Sequence, residues 1–469
     1  MKPRSITSAS NSEQKTLHLP SLARKLPDGW HWMRLDEVCS GIFDCPHSTP
    51  VLAAEGAFLA RSQDILSGTF RFESAARVSE ETYRERTARA DPAYGDLLYS
   101  REGTYFGIAA EVPKDSRVCL GQRMVLLRPD FKRVNFRFLR YWLNSPVLAA
   151  HIHGHRDGTV AERLNLPTIR SLPIPVAPMS QQAAIASVLG GLDDQIELNR
   201  CINETLAAMA RGIFKSWFAD FDPVRAKAEG RPPSGMDPAT AALFPDSFED
   251  SSLGKIPRRW KLTILAEVLF ELVSGSRPKG GAVQDGVPSI GAENIIGLGR
   301  YEYSKDKFIP HLYFEQLKRK GADVRRRDIL LYKDGAQIGR KAFFDCDFPY
   351  AQCAINEHVL ILRAKNGWDQ RFLYFWLDQQ WMTDEIITLN SNSAQPGINQ
   401  AGVRRLPLLR PSDTVIQRFD NLVEPLTDRV FLNCHQSRTL AGIRDALLPK
   451  LISGALRVNQ IDMLLLEKH

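Results

Sequence analysis

Two rhythms alternate along the chain. Short apolar runs such as Met124-Val125-Leu126-Leu127 and Val359-Leu360-Ile361-Leu362 are bounded by glycine, proline and polar residues. That is the pattern of buried strands in a mixed α/β region. A different rhythm starts after Pro178, where Ser180 can serve as an N-cap and no proline follows before Phe218. Leu192, Ile196, Asn199, Asn203, Leu206, Ala210, Ile213 and Trp217 alternate at spacings of four and three. This is a heptad seam rather than the 3.6-residue stripe of a helix on a globular core. A second stretch carries the same seam as Leu426, Val430, Asn433, Ser437, Leu440, Arg444, Leu447 and Leu451.

The second seam is part of a larger repeat. Leu35-Asp36-Glu37-Val38 answers Leu265-Ala266-Glu267-Val268, and Ser62-Gln63-Asp64-Ile65 answers Ala292-Glu293-Asn294-Ile295, at an offset of 230. Asp96-Leu97-Leu98 with Arg101-Glu102-Gly103 and Gly107 answers Asp328-Ile329-Leu330 with Lys333-Asp334-Gly335 and Gly339, at 232. Phe138-Leu139 with Trp142-Leu143, Leu172-Pro173, and the seam residues follow at 234. A period this long is a duplicated domain-plus-helix unit, not a solenoid repeat.

The expected organisation is a polar segment (1–26), a mixed α/β domain (27–178), a long helix (179–220), a connector (221–256), a second α/β domain (257–411), a second long helix (412–457) and a tail (458–469). The connector, with Arg231-Pro232-Pro233-Ser234-Gly235 at its centre, reads as extended, although Leu243, Phe244 and Phe248 can pack on the helices. Each seam needs an apolar partner, and the nearest is the other seam. An antiparallel coiled coil in pseudo-twofold arrangement would place the two α/β domains at opposite ends. Asn199 and Asn433 at matching seam positions would fix its register; the alternative is that they face solvent at a weak seam. The 27 residues from Leu192 to Phe218 span roughly 40 Å, near the 34–36 Å or so of one B-DNA turn.

In this order of parts the chain resembles the specificity subunit of type I restriction–modification systems. The residues that carry the resemblance are Leu35-Asp36-Glu37-Val38, Asp44-Cys45-Pro46-His47-Ser48-Thr49-Pro50, the Gly103/Gly107 loop, Leu164-Asn165-Leu166 before Leu172-Pro173-Ile174-Pro175, and Gln181-Gln182. Gly397-Ile398-Asn399 before Leu406-Pro407, and the segment from Trp217 to Lys227, continue it. The second Leu-Pro lacks the following proline, and its helix opens on Ser412-Asp413 without a Gln-Gln pair. The resemblance implies two target-recognition domains separated by two long helices that form an antiparallel coiled coil. It further implies a bipartite double-stranded DNA target, two methylation subunits and a motor–nuclease restriction subunit as partners. S-adenosylmethionine, ATP and Mg would belong to those partners, and this chain would hold no cofactor.

The remaining chemistry is consistent with a non-catalytic chain. Asp91-Pro92-Ala93-Tyr94 is similar to an adenine-methyltransferase loop, but no glycine-rich cofactor loop precedes it and Asp323-Val324-Arg325-Arg326 does not repeat it. A turn is the better reading, and a self-contained methyltransferase is the disfavoured alternative. No phosphate-binding G-x-x-x-x-G-K-[ST] occurs. His151, His153 and His155 alternate and would converge only on one strand face; no metal site is expected. Seven scattered cysteines without a C-x-x-C pair point to a reducing compartment. A polar start and the lack of an 18-residue apolar run argue against secretion and membrane insertion, so a cytoplasmic location is expected. The net charge of +7 permits a nucleic-acid partner without demanding one.

What is left is recognition. Arg101 and Lys333 open equivalent loops with Gly103 and Gly335, which tolerate positive φ. Such loops can deliver Thr104, Tyr105 and Gln337 to a groove, where Gln pairs with adenine and Arg with guanine; the bland alternative is a hairpin whose glycines only serve the turn. His47 and the turn with Arg277 and Lys279 occupy equivalent places in the two halves, and Arg61 and Arg326 complete the DNA-contact candidates. Lys318-Arg319-Lys320, Arg325 and Arg327, and more weakly Arg84, Arg86 and Arg89, suit phosphates, although charge runs are commonly solvated faces.

Overall fold

The computed structural model describes residues 26–66, 68–72, 74–103, 106–153, 163–252, 254–335, 337–389 and 397–459. The chain divides into two compact units, one holding residues up to 194 together with those from 440 onward, the other 195–439. Each unit therefore takes one recognition-type α/β domain and a piece of each long helix.

In the first unit, a four-stranded antiparallel sheet runs in the order Cys39–Asp44, Met124–Pro129, Leu97–Ser100, Ala109–Glu111. Strand Leu97–Ser100 is buried at every residue, as a strand covered on both faces must be. Its two-residue alternation sorts the core. Leu97, Tyr99, Val125 and Leu127 pack with Phe138, Leu139 and Trp142 of helix Phe136–Leu143. Leu98, Met124 and Leu126 face Ile65, Val118 and Leu120, beside a second sheet. That sheet runs Val118–Leu120, Ala57–Ala60, Ala76–Val78, Leu52–Ala53 and contains one parallel pair. Asn135 caps the covering helix, accepting from Arg137 and Phe138 N–H, one use of the donors that a helix start leaves unpaired. Trp142 Nε1 donates to Pro173 O at 2.8 Å.

The second unit repeats the plan with strands Leu269–Ser274, Val359–Ala364, Asp328–Tyr332 and Lys341–Phe344. Its covering helix, Gln370–Leu377, is capped by Asp369 through Phe372 N–H at 2.8 Å, and Trp376 donates to Pro407 O at 2.9 Å.

The long helices are Met179–Phe218 and Asp413–Ile452, 40 residues each. All seam positions named above are buried or half-buried. Asn199 and Asn433 are buried at 1% and 0% exposure, so neither faces solvent. Within the second unit Asn199 Nδ2 donates to Ser437 Oγ at 3.2 Å and Asn433 Nδ2 to Asn203 Oδ1 at 2.8 Å. Within the first, Arg444 donates to Asp193 at 2.9 Å, a charge pair at a position the heptad pattern alone would fill with an apolar residue.

One expectation is corrected. The segment 221–256 is not extended: it folds into helices Asp222–Ala228 and Pro238–Ala242 and a hairpin of Phe248–Ser251 with Gly254–Pro257. Phe244 is buried against Trp217, ring centroids 5.0 Å apart. Its elements are too short for periodicity to reveal, but that aromatic contact anchors them. His151 lies on helix Pro146–His153 rather than on a strand. The single strand face on which alternate histidines could converge is therefore not formed at His151; His155 lies outside the described residues.

Arg371 ties the second domain to its helix piece. Fully buried, it donates to Asp420 at 2.8 Å, Thr427 at 2.9 Å, Glu424 at 3.0 Å and Asp428 at 3.1 Å. Removing one partner of a buried pair strands the other's charge. Replacing Arg371→Met should cost about 3 kcal/mol, seen as a lower denaturant midpoint for the second unit. An unchanged midpoint would mean that this cluster does not hold helix to domain.

Candidate nucleic-acid interface

In each unit the two central strands end side by side, and the loops that leave them are tied together. In the first unit Arg101 N–H donates to Arg123 O at 3.0 Å, and Leu164 N–H donates to Arg101 O at 2.8 Å. In the second, Lys333 N–H donates to His358 O at 3.1 Å and Ile398 N–H to Lys333 O at 2.8 Å. Gly103 and Gly107 adopt φ of +94° and +78°, Gly335 and Gly339 +111° and +87°. Left-handed backbone of this kind favours glycine, and here it turns each loop back toward its strand.

The side chains on these frames correspond position by position. Arg101 lies 3.4 Å from Asp44, and Lys333 Nζ donates to Ser274 Oγ at 3.1 Å. Glu102 pairs with Arg123 at 3.3 Å, Asp334 with His358 at 2.5 Å. His47, exposed, sits 3.4 Å from Asp44. Its counterpart Arg277 pairs with Glu357 and contacts His358 Nε2 at 2.6 Å. Gln122 Nε2 donates to His47 O at 2.9 Å. Close by in the second unit, burial pushes Glu293 up, but Lys307 at 2.6 Å outweighs it and holds the carboxyl below its usual range. Each cluster thus exposes cations whose directions are set by part-buried partners, a surface suited to polyanion backbone and to acceptor edges of bases.

The comparisons agree with this geometry. Residues 27–208 match the family model described as the type I restriction modification DNA specificity domain. The type I restriction enzyme MjaIX specificity subunit of Methanocaldococcus jannaschii is 24% identical over 387 residues, covering 82% of each chain. The HindI specificity subunit of Haemophilus influenzae is 25% identical over 407 residues, covering 77% of this chain and 86% of that one. The crystal structure of a type I restriction–modification S subunit from M. genitalium superposes with a TM-score of 0.51 at 16% identity, covering 92% of this chain and 97% of that one. The chain is similar to the type I specificity subunits. The fold is the mixed α/β fold of an S subunit, and the matched family is one of DNA specificity domains rather than catalytic ones. Among the described residues no helix is long and apolar enough to cross a membrane.

The candidate contact residues fall as follows. The structure brings His47, Arg101 and Gly103 together in one unit and Arg277, Lys333 and Gly335 in the other. Gln337 and Lys279 are exposed on the loops beside the second cluster. Thr104 and Tyr105 lie outside the described residues.

Three candidates stand apart from the clusters. Arg61 grips the buried Asp64 at 2.8 and 3.1 Å and donates to Ser74 O. Arg326 pairs with the buried Asp345 at 2.8 Å, ahead of strand Asp328–Tyr332, whereas Lys333 follows that strand. It therefore stands away from the cluster. Arg86 is no phosphate ligand: it is buried, donating to Leu120 O at 2.7 Å and to Ser48 O and Pro46 O at 3.1 Å. Asp345, Cys346 and Asp428 bring three ligand-type atoms together, but Arg326, Arg327 and Arg371 lie against these carboxylates.

Sequence reasoning missed Arg123, Glu357 and His358. All three stand just before the apolar runs read as strands, where only the cross-strand register reveals their partners.

Arg86 fastens the loop that presents His47. Changing Arg86→Met leaves three carbonyls without their donor, which should cost about 2–4 kcal/mol. Amide exchange over residues 46–50 should speed up well ahead of the sheet strands; equal protection in both forms would show that the loop is held by something else.

Proposed function

We propose that the chain is the sequence-specific DNA-binding specificity subunit of a type I restriction–modification complex, recognising a bipartite target, each recognition domain reading one half-site. The observation that carries this is the duplicated cluster: one backbone frame, two sets of side chains. Asp44, His47, Arg101, Glu102, Gln122 and Arg123 stand where the other unit has Ser274, Arg277, Lys333, Asp334, Glu357 and His358. A frame kept constant while its polar groups differ is what two readers of different sequences need.

The long helices are the spacer in this proposal, paired as an antiparallel coiled coil with pseudo-twofold symmetry. The offset of 234 carries Asn199 onto Asn433 and Asn203 onto Ser437, so the two polar contacts Asn199–Ser437 and Asn433–Asn203 are one contact viewed from either helix. That supports an internal dyad near the middle of the pair. A coil of this symmetry offers two equivalent surfaces, which suits two methylation subunits; a motor–nuclease subunit would complete the restriction complex in the cytoplasm. S-adenosylmethionine, ATP and Mg belong to those partners. A self-contained methyltransferase is disfavoured because the chain has no motif for a methyl donor.

Exchanging residues 27–178 for the corresponding domain of a relative should change one half of the methylated motif and leave the other intact. Mapping methylated adenines in cells that carry the chimaera with its methylation subunits reads this directly. Change in both halves, or in neither, would sink the modular reading.

A further inference from the structure

The two clusters differ at one position in a way that changes what their cations can do. Arg123 can only donate, whereas its counterpart His358 carries a ring that can accept at one nitrogen and donate at the other. The ring of His358 is held from both sides. Its Nδ1 lies 2.5 Å from Asp334 Oδ1, and its Nε2 lies 2.6 Å from Arg277 Nη2 and 3.2 Å from Glu357 Oε1. The backbone is pinned too: His358 N–H donates to Asn356 Oδ1 at 2.9 Å, and its carbonyl accepts from Lys333.

A guanidinium nitrogen can only donate. The contact with Arg277 therefore requires a lone pair on Nε2, which puts the single ring proton on Nδ1, donating to Asp334. Arg277, with Nε on Glu357 and Nη2 on His358, is fixed at two nitrogens while its side chain stays 55% exposed. We infer that His358 is a positioning residue: in its neutral Nδ1–H form it aims the Arg277 guanidinium at a base of the half-site read by the second unit. This rests on the function proposed above.

A second proton reverses the arrangement. Nε2 then donates, Glu357 is its acceptor, and Arg277 loses a partner and meets a like charge. The other charged groups near the ring are Asp334 on Nδ1, Glu293, which is close enough to feel its charge, Lys307 on Glu293, and Lys333, whose ammonium is turned to Ser274. The one acceptor left to Arg277 is Glu357, whose Oε2 is buried without a partner, and turning to it takes the guanidinium off the ring. A permanent charge at position 358 should therefore weaken discrimination by the second unit and leave that of the first, built on Arg123, unchanged.

The probe is a duplex carrying the motif mapped by adenine methylation, with competitors altered at one base in one half; the domain exchange tells which half belongs to which unit. Binding is measured with the full chain assembled with its methylation subunits, at one pH and salt concentration. For the second unit's half, His358→Lys, permanently charged, should lower discrimination about tenfold and leave the first unit's half unchanged. His358→Gln, whose amide can accept from Arg277 and donate to Asp334, should keep the wild-type value. An equal loss in both halves, or full discrimination by H358K, would overturn the inference.

A second readout needs no DNA. Imidazole ¹⁵N shifts of the full chain should report the Nδ1–H form for neutral His358. An Nε2–H form would end this proposal and leave the recognition function standing. Absence of any sequence-specific binding by the wild-type complex would fell the recognition function itself and, with it, this use of His358.

Discussion

The register of the two central strands is the constraint on which the rest depends. At one end of the pair a buried carboxylate faces an arginine: Asp96 with Arg128 at 2.7 Å in one unit, Asp328 with Arg363 at 2.6 Å in the other. Breaking such a pair leaves an uncompensated charge in the interior, at about 3–5 kcal/mol. A slip by one residue would also turn Leu97 and Tyr99 from the helix-covered face to the other. Both penalties hold Leu97 opposite Leu127 and Ile329 opposite Leu362. Followed to its far end, the same register sets Arg101 beside Arg123 and Lys333 beside His358. The candidate interface is thus placed by an ion pair it never touches.

That dependence explains what could be read in the chain and what could not. The duplication, the heptad seams and the buried strands were legible because each repeats a simple period over many residues. Asn199 and Asn433 could be assigned to a seam by spacing, and they are buried there. Cross-strand partners carry no such signal. Arg123 and His358 look like polar residues preceding a strand until the register pairs them with Glu102 and Asp334. Charge was the least reliable guide. Arg61 and Arg86 have the composition of phosphate ligands but are drawn to Asp64 and to backbone carbonyls, because a guanidinium offers its five donors to any nearby acceptor. The folded stretch from 221 to 256 escaped for a different reason: its elements run four to seven residues, shorter than a detectable period, and its stability comes from Phe244 on Trp217.

The energetics of the clusters suit exchangeable contacts. Arg123 is 57% exposed and Glu102 25%, and ion pairs of this exposure are worth at most about 1 kcal/mol. Such a pair orients a side chain without holding it so firmly that a base or phosphate cannot take it over. The scaffold beneath behaves oppositely. Arg371 and Arg363 sit in interiors where losing a partner is costly, so the frame resists change while its exposed cations remain available.

The helix seam applies the same division of labour to spacing. A buried asparagine weakens a coiled coil but penalises every register that leaves its amide unpaired. Here the penalty is distributed: Asn199 finds Ser437 and Asn433 finds Asn203, so sliding either helix by a turn would strand both amides together. Further along, the two halves cease to match. The first unit has Arg444 on Asp193, whereas the repeat offset puts Ala210 and Thr427, both buried, at the corresponding places. A charge pair on one side and small groups on the other distinguish the helices where symmetry alone would leave them interchangeable. In the proposed antiparallel pair, the polar contacts would therefore select the register, and the asymmetric contact beyond them would tell one helix from the other.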